Sequence, residues 1–339
     1  MRRAAEYCEL KGVTADCYGD GAFLNAFECE IAEALGMEGA LFLASGTAAQ
    51  QVALKTWAEL RGCSRIALSP LSHLELKEER AYALLSGLEG VLIAHGNHPI
   101  RARDLQTLEL PLAALALELP LRALGGQLPS FEELDRVKQW CRDAKVPLHL
   151  DGARLWEAQS HYDRPLREIC RGFDSVYVSF YKGLGSTSGA LLAGSREFLH
   201  AAAPWKVRYG GRLVEQHHLV VPARLQFEQE RARLPGYLLD ARRMAAALAR
   251  LPGLRVLPQP PHTSMFHVYF EQSPRALELA RDRIAREDQV WLCNFFAPPP
   301  FQTDLGQCYT EVVIADAAED FTTQQVASAF EKLLELAAP

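Results

Sequence analysis

The sequence predicts an α/β protein with a large domain built on a mainly parallel sheet and a smaller C-terminal α+β domain. Short, almost continuous apolar runs alternate with amphipathic segments from residue 40 to about residue 194, as expected for strands that helices cover on both faces. After Pro235 the order of the predicted elements changes. Because 339 residues exceed the usual size of one core, we expect two domains, residues 1–235 and residues 236–339.

Seven apolar runs predict the strands of the large domain. In chain order they are "ALFLA", "RIALS", "GVLIA", "AALALEL", "VPLHLD", "SVYVSF" and "GALLAG". The clearest helix between two of them is "SFEELDRVKQWCRDAK", in which Ser130 and Glu133 have the spacing of a capping box and apolar residues recur at helical intervals. Another helix is predicted directly after "SGT", in "TAAQQVALKTWAEL".

The small domain is predicted to mix helices with strands. A helix ("YLLDARRMAAALARL") precedes the runs "LRVLP" and "MFHVYF", and a second helix ("RALELARDRIARED") precedes the runs "VWLCNFFA" and "YTEVVIA". A last amphipathic helix is predicted over residues 323–337. This order indicates an α+β domain, and the proline clusters in "PQPPH" and "PPPF" indicate loops within it.

Composition argues against several classes of partner. Apolar residues make up 49% of the chain and charged residues 23%, and the net charge of −6 comes with lysines and arginines that are scattered singly. Nucleic acid is therefore not an expected partner, because the basic stripe that follows a phosphate backbone is missing. The sequence shows neither a membrane-length apolar stretch nor a secretory signal pattern, so we expect a cytoplasmic protein without a membrane partner.

The cysteines predict neither a disulfide framework nor a metal site. All eight lie far apart in the sequence, and none forms a C-x-x-C pair or accompanies a histidine pair at zinc spacing. We interpret them as small apolar residues in a reducing compartment.

Three groups of polar residues stand where predicted strands end. Asp151 ends "VPLHLD", Lys182 follows "SVYVSF", and Ser45, Gly46 and Thr47 connect a strand to a helix. Taken singly, these groups have ordinary interpretations as a turn, a lysine that reaches solvent and a helix N-cap. Ligands of open α/β sheets bind beyond the carboxyl ends of the strands. A carboxylate, an amine and a helix N-terminus at one such edge match the requirements of pyridoxal phosphate.

The same segments resemble the threonine aldolase and β-eliminating lyase family of fold-type-I pyridoxal-phosphate enzymes. "YGDGAFLNAFECEIAEALGMEGALFLASGTAA" is similar to the family's Y-G-D-x-x-x-x-N-x-[FL]-E segment and the S-G-T phosphate loop that follows it. "LHLDGARLWEA" resembles the H-x-D-G-A-R signature, and "YKGLGSTSGALLAGSREF" resembles the region of the family's lysine. The resemblance covers about residues 18–211 and implies a divergent member with the fold-type-I architecture.

The resemblance also implies a set of site residues. Lys182 would form the Schiff base with the cofactor, Asp151 would pair with the pyridine nitrogen, and Arg154 would lie beside the ring hydroxyl. Ser45, Gly46 and Thr47 would hold the phosphate. His73 would stack on the ring as a third catalytic residue beside Lys182 and Asp151. Glu118 would lie near the cofactor or substrate. The family further implies a homodimer or homotetramer with shared active sites.

The chain departs from the family where substrate is bound. Family members carry an arginine on a late strand for the substrate carboxylate, whereas the matching run "CYTEVVIADAAED" has Glu311. Their N-T-H-N loop, whose histidine handles the β-hydroxyl, is replaced by "LPLRALGGQLP", which introduces Arg122. Arg122 is either a replacement ligand for the substrate carboxylate or a surface loop residue. Lys206, Arg208 and Arg212 are further candidates for that ligand.

As implied by the resemblance, the expected function is aldol cleavage of a β-hydroxy amino acid, such as threonine or allo-threonine to glycine and acetaldehyde. His73 or a water molecule would take the β-hydroxyl proton. Three other reactions on an amino acid stay open, namely β-elimination, racemisation and transamination, as does a non-catalytic role. A nicotinamide dehydrogenase is not expected, because G-x-G-x-x-G does not open a helix after a first strand.

Overall fold

The structure, a computed structural model, describes residues 2–94 and 96–338, apart from the side chain of Glu319. Contacts divide the chain into two units, one of Met1–Pro120 with Pro129–Arg233 and one of Leu121–Leu128 with Leu234–Pro339. The observed division thus falls two residues before the expected boundary, and a short loop segment groups with the second unit. The domain boundary at residue 235 remains a prediction.

The first unit contains a seven-stranded sheet. Its strands are β1 (Gly39–Leu43), β2 (Arg65–Leu68), β3 (Glu89–Leu92), β4 (Ala114–Glu118), β5 (Leu148–Gly152), β6 (Ser175–Ser179) and β7 (Ala190–Gly194). They lie in the order β1-β7-β6-β5-β4-β2-β3. Strand β7 is antiparallel to both neighbours and the remaining pairs are parallel. This arrangement confirms the predicted α/β class with a mainly parallel sheet.

Helices accompany these strands. They are α1 (Arg2–Lys11), α2 (Ala22–Leu35), α3 (Gly46–Arg61), α4 (His73–Leu76), α5 (Ala81–Leu84), α6 (Phe131–Ala144), α7 (Leu155–Tyr162), α8 (Leu166–Cys170), α9 (Arg196–Arg208) and α10 (His217–Glu230), with 3₁₀ turns at Ala102–Leu105 and Arg231–Arg233. Only half of the predicted capping box forms at α6. The Ser130 hydroxyl accepts the Glu133 N–H at 3.2 Å, but the Glu133 carboxylate accepts the Ala102 N–H at 2.7 Å.

The second unit is an α+β arrangement. Its strands β8 (Leu254–Leu257), β9 (Met265–Phe270) and β10 (Cys308–Val313) form an antiparallel sheet in the order β10-β9-β8. Its helices are α11 (Leu234–Leu248), α12 (Pro274–Glu287) and α13 (Thr323–Leu336), with 3₁₀ turns at Arg122–Leu124 and Asp316–Asp320. The run "VWLCNFFA" is not a strand, and only Ala297 makes an isolated bridge, to Tyr309. The prolines that follow it lack the N–H donors that a ladder needs.

Two further observations concern the described part of the chain. Within residues 2–94 and 96–338, no helix combines the length and apolar composition needed to cross a membrane. In the same residues, no three histidine, cysteine, aspartate or glutamate side chains are grouped so that they could hold a metal ion.

Candidate active site

The carboxyl ends of three neighbouring strands bring polar side chains together in the first unit. The sheet register aligns Glu118, the last residue of β4, with Asp151 on β5, and it aligns Asp151 with Tyr177 on β6. Cross-strand partners point to the same face of a sheet, so Asp151 has Glu118 on one side and Tyr177 on the other as direct neighbours. The strand register therefore places Asp151 at the carboxyl end of the sheet, where the sequence predicts it.

Asp151 is a buried acid with little exposure to water. Its side chain is 2% exposed, and it accepts hydrogen bonds from the Gln50 amide at 2.5 Å and from the Ala153 N–H at 3.2 Å. Burial, with a smaller contribution from the nearby Glu118 carboxylate, raises the Asp151 pKa to about 7, although Lys182 opposes this rise. A buried carboxylate of this kind favours a cationic partner, as a protonated pyridine nitrogen would be.

Lys182 lies three residues beyond the end of β6 and is half-buried. Burial lowers its pKa, and the guanidinium of Arg154 lowers it further, whereas Asp151 opposes the shift. The loop is fixed by backbone bonds from Gly185 N–H to the Lys182 carbonyl at 3.0 Å and from Phe180 N–H to the Gly189 carbonyl at 3.0 Å. A lowered pKa increases the fraction of neutral amine, which is the form that attacks an aldehyde.

The helix α3 begins at the same edge. The Ser45 hydroxyl caps it by accepting the Ala48 N–H at 3.3 Å, and Thr47 lies between these two residues. The Gly46 N–H donates to the Tyr181 hydroxyl at 2.9 Å. The start of a 16-residue helix attracts anions through its free N–H groups and its dipole. The phenol of Tyr181, the residue directly before Lys182, thus lies at the predicted phosphate site.

Gly46 leaves room that a side chain would fill. A Cβ at this position would overlap the Tyr177 hydroxyl and would lie 2.7 Å from the Tyr181 hydroxyl. We expect Gly46→Ala to destabilise the protein by about 1–3 kcal/mol and to weaken cofactor binding, because buried Tyr177 must move.

Thermal unfolding and a cofactor titration would measure both effects of Gly46→Ala. Gly236→Ala is the matched control, since it also lies in the first turn of a helix and its Cβ would meet no atom within 4 Å. Tyr177→Phe in the Gly46→Ala background should recover part of the lost stability. Equal behaviour of the two glycine variants would contradict the steric account.

His73 begins the short helix α4 and is held by two carboxylates. Its backbone N–H donates to Glu118 at 2.6 Å, and its Nδ1 lies 3.0 Å from the Glu78 carboxylate. An ionised carboxylate only accepts, so Nδ1 carries a proton, and Nε2 is the ring nitrogen that does not face Glu78. Glu118 is half-buried. This strand-end carboxylate therefore fixes the His73 backbone.

Arg122, the predicted ligand for the substrate carboxylate, takes part in an ion pair. It lies in the second unit, where its guanidinium contacts the Glu311 carboxylate through two bonds, 2.8 Å from Nε and 3.2 Å from Nη2. His267, also of this unit, lies with its Nε2 3.7 Å from the same carboxylate. Arg122 thus forms a bidentate ion pair in which its side chain is 26% exposed and that of Glu311 is 12% exposed, and its role as a ligand for the substrate carboxylate stays a prediction.

The first-unit residues fit pyridoxal phosphate. Lys182 offers an amine of lowered pKa, and Asp151 offers a buried carboxylate suited to a cation. At the start of α3, Gly46 has no side chain that would fill the space beside its N–H. Sequence reasoning missed Gln50, His149, Tyr177 and Glu78. Two of them could have been found from their spacing. Gln50 lies one helical turn after Gly46, and His149 lies two residues before Asp151 on the same strand face.

Several known proteins are similar to this chain in sequence. The sequence model of the Beta-eliminating lyase family matches residues 2–273. A low specificity L-threonine aldolase of Escherichia coli O157:H7 is 30% identical over 224 residues, which are 65% of this chain and 67% of that protein. The alanine racemase TOXG of Cochliobolus carbonum is 31% identical over 227 residues, 63% of this chain and 58% of that protein.

Among solved structures, a provisionally assigned L-allo-threonine aldolase from Listeria monocytogenes EGD-E superposes with a TM-score of 0.91 and 36% identity. The superposition covers 98% of this chain and 92% of that chain. By sequence, the chain spans only 59% to 67% of the length of three curated aldolases that it matches.

Proposed function

The chain belongs to the Beta-eliminating lyase family, and on that premise we propose that it is a pyridoxal-phosphate-dependent aldehyde-lyase. Its fold is that of fold-type-I pyridoxal-phosphate enzymes. The substrate would be a β-hydroxy amino acid, with threonine or allo-threonine cleaved to glycine and acetaldehyde. The observation that carries the proposal is the electrostatic interaction of a buried acid, Asp151, with an amine of lowered pKa, Lys182, at the carboxyl ends of two neighbouring strands.

When bound, pyridoxal phosphate supplies an aldehyde that captures amines and a protonated ring that accepts the electrons of a bond broken at Cα. Lys182 would bind the cofactor through its aldehyde, and the Lys182 amine would also serve to carry a proton. Asp151 would keep the ring nitrogen protonated. The start of α3 at Ser45, Gly46 and Thr47 would bind the phosphate.

His73 is the base that we propose for the β-hydroxyl proton. Its Nδ1 is hydrogen-bonded to the Glu78 carboxylate, so Nε2 is the ring nitrogen that would accept the proton. Removal of that proton turns the hydroxyl into a carbonyl as the Cα–Cβ bond breaks, which releases the aldehyde. Glu118 would contribute by fixing the position of the His73 backbone.

A panel of amino acids tests this function against one alternative. The relative named as an alanine racemase supports a second candidate, in which the same residues move a proton at Cα and invert the amino acid. Purified protein with cofactor would be incubated with L- and D-alanine, threonine, allo-threonine and serine. Aldehyde and glycine from the β-hydroxy substrates support the lyase, whereas inverted alanine without aldehyde supports the racemase. Pyruvate would instead indicate β-elimination or transamination.

The Arg122–Glu311 pair gives a test of substrate binding. We propose that Arg122 is a ligand for the substrate carboxylate and that Glu311 competes with the substrate for it, because both offer a carboxylate to one guanidinium. Arg122→Gln should then raise KM about tenfold with a small change in kcat, and Glu311→Gln should lower KM several-fold.

Steady-state kinetics on both Arg122 and Glu311 variants would measure these changes, with circular dichroism to verify folding. Arg122→Lys is the control for charge, since it keeps the cation but loses the bidentate geometry. KM values that stay unchanged in Arg122→Gln would exclude this residue as a ligand.

We also propose a homodimer or homotetramer with shared active sites in a reducing compartment such as the cytoplasm. Leu84 and Leu85 support an interface, because they are adjacent and 80% and 70% exposed. The eight cysteines support the compartment, since all of them are free thiols. Analytical ultracentrifugation would give the oligomeric state, and a monomer at micromolar concentration would contradict the shared sites.

A further inference from the structure

Five polar side chains form a continuous chain of hydrogen bonds that ends on Asp151. The Trp57 indole N–H donates to the Ser175 hydroxyl at 2.8 Å, and that hydroxyl lies 2.8 Å from Nδ1 of His149. Nε2 of His149 lies 2.6 Å from Oε1 of Gln50, whose Nε2 lies 2.5 Å from Asp151. All five residues belong to the first unit.

We call this chain of Trp57, Ser175, His149, Gln50 and Asp151 the relay. The two residues at its ends, Trp57 and Asp151, fix the direction of every hydrogen bond in it. The indole of Trp57 can only donate, and an ionised Asp151 can only accept. Asp151 therefore faces the amide NH₂ of Gln50, whose carbonyl must then accept the Nε2–H of His149. Nδ1 of His149 is left to accept the Ser175 O–H, which agrees with the indole donating to Ser175 from the other end.

Because the relay is buried, loss of any one of its hydrogen bonds would cost free energy. Gln50, His149 and Ser175 are each 0% exposed, so water does not replace a lost partner. Burial also lowers the pKa of His149 to about 3, so its ring stays neutral and has one donor and one acceptor nitrogen. Strand register explains the placement, because His149 pairs with Ser175 across β5 and β6 and shares a strand face with Asp151.

We propose that Gln50, His149, Ser175 and Trp57 are positioning residues whose one-way hydrogen bonds favour the ionised form of Asp151 and orient its carboxylate toward its cationic partner. The inference rests on the proposed function, in which that partner is the pyridine nitrogen. It goes beyond that function by assigning roles to four residues that would act on the cofactor through Asp151. Each donor points toward Asp151, so the whole relay stabilises the charged carboxylate and opposes the desolvation that favours the neutral acid.

The first test removes one donor from the relay. Gln50→Met keeps the approximate volume but loses the amide, and the matched control is Gln51→Met. Gln51 is the next residue of α3, is similarly buried, and bonds to Ser86 instead of the relay. The Asp151 ionisation would be followed by the ¹³Cγ signal of the full-length chain without cofactor, assigned by its loss in Asp151→Asn.

We expect Gln50→Met to raise the apparent pKa of Asp151 by about one to two pH units, the worth of a hydrogen bond to a charged group, and Gln51→Met to leave it in place. The other charged or titratable groups that face Asp151 are Glu118, Glu78, His73, Lys182 and Tyr177, and both variants retain them. A titration that moves equally in both variants, or in neither, would overturn the proposal.

The second test needs no variant and so survives any failure of folding. Histidine labelled with ¹⁵N in the unaltered chain reports which ring nitrogen of His149 carries the proton. The relay requires protonated Nε2 and bare Nδ1 at pH 8, with no titration between pH 5 and pH 9. The opposite tautomer, or a titrating ring, would contradict it.

These results are distinguishable from failure of the proposed function. If the chain released no aldehyde but showed the Nε2–H tautomer of His149 and the pKa shift of Asp151 in Gln50→Met alone, the relay would be supported and the lyase assignment contradicted. If the chain were an active lyase with the opposite His149 tautomer, the lyase assignment would be supported and the relay contradicted. In the holoenzyme, Gln50→Met should lower kcat about tenfold or more with little change in KM, and Gln51→Met should not.

Discussion

Lys182→Ala is expected to abolish activity, by at least about a thousandfold in kcat, and to remove the absorbance band of lysine-bound cofactor. The amine is the only part of this side chain that can hold the aldehyde covalently, and an alanine cannot replace it. Lys182→Arg should be equally inactive, because a guanidinium keeps the charge but remains protonated and cannot attack. Absorbance spectra and aldehyde release would be measured on both variants.

Lys77→Ala is the control for Lys182, since Lys77 is an exposed lysine of the same unit. It should keep both the band and the activity. Borohydride treatment of the unaltered chain should fix the cofactor to the peptide that contains Lys182. A persistent band in Lys182→Ala, or fixation to another lysine, would show that the covalent site lies elsewhere.

Asp151→Asn is expected to lower kcat about 10²–10³-fold while it stabilises the cofactor-free chain above pH 7. The kinetic loss follows because an amide cannot keep the ring nitrogen protonated. The gain in stability follows because a buried anion is removed. Opposite effects on activity and stability are typical of a residue retained for function rather than for folding.

The sign of the stability effect comes from the two pKa values of Asp151. In the unfolded chain it ionises near its ordinary pKa of about 4, whereas in the folded chain it keeps its proton to about pH 7. Between these values the folded state binds more protons, so the free energy of unfolding falls as pH rises from about 4 to 7. Asp151→Asn should abolish this fall and raise stability at pH 8 by about 1–3 kcal/mol, since loss of the charge near Lys182 offsets part of the gain.

Urea unfolding at pH 5 and pH 8 would measure that difference for both proteins. Asp174→Asn is a control on an exposed aspartate of the same unit, whose carboxylate accepts the Leu148 N–H at 2.8 Å. It should not change kcat through the cofactor ring. An Asp151→Asn protein that is less stable than the unaltered chain at pH 8 would contradict the account of a costly buried anion.

The sequence alone was enough for the fold class and for the positions of Asp151 and Lys182. Both follow from one physical rule: runs buried on both faces are strands of a parallel sheet, and their carboxyl ends meet at one edge. The start of α3 was likewise predictable from "SGT", because an N-cap serine before an apolar helical pattern is a local signal.

Contacts that depend on register or on distant segments were beyond the sequence. The Arg122–Glu311 pair joins residues 189 positions apart, and neither carries a local signal of the other. The relay depends on His149 being opposite Ser175, which is set by strand pairing and not by either sequence run. The "VWLCNFFA" run was misinterpreted as a strand because its apolar content reflects burial of Cys293 and Phe296 in an irregular segment.

The most direct measurement is the product analysis of allo-threonine and threonine with the unaltered chain and pyridoxal phosphate. The account predicts acetaldehyde and glycine in equal amounts, formed catalytically and lost in Lys182→Ala. Acetaldehyde would be measured by coupled reduction and glycine by chromatography of the same sample. Neither product from either diastereomer, at full cofactor occupancy, would contradict the assignment as an aldehyde-lyase.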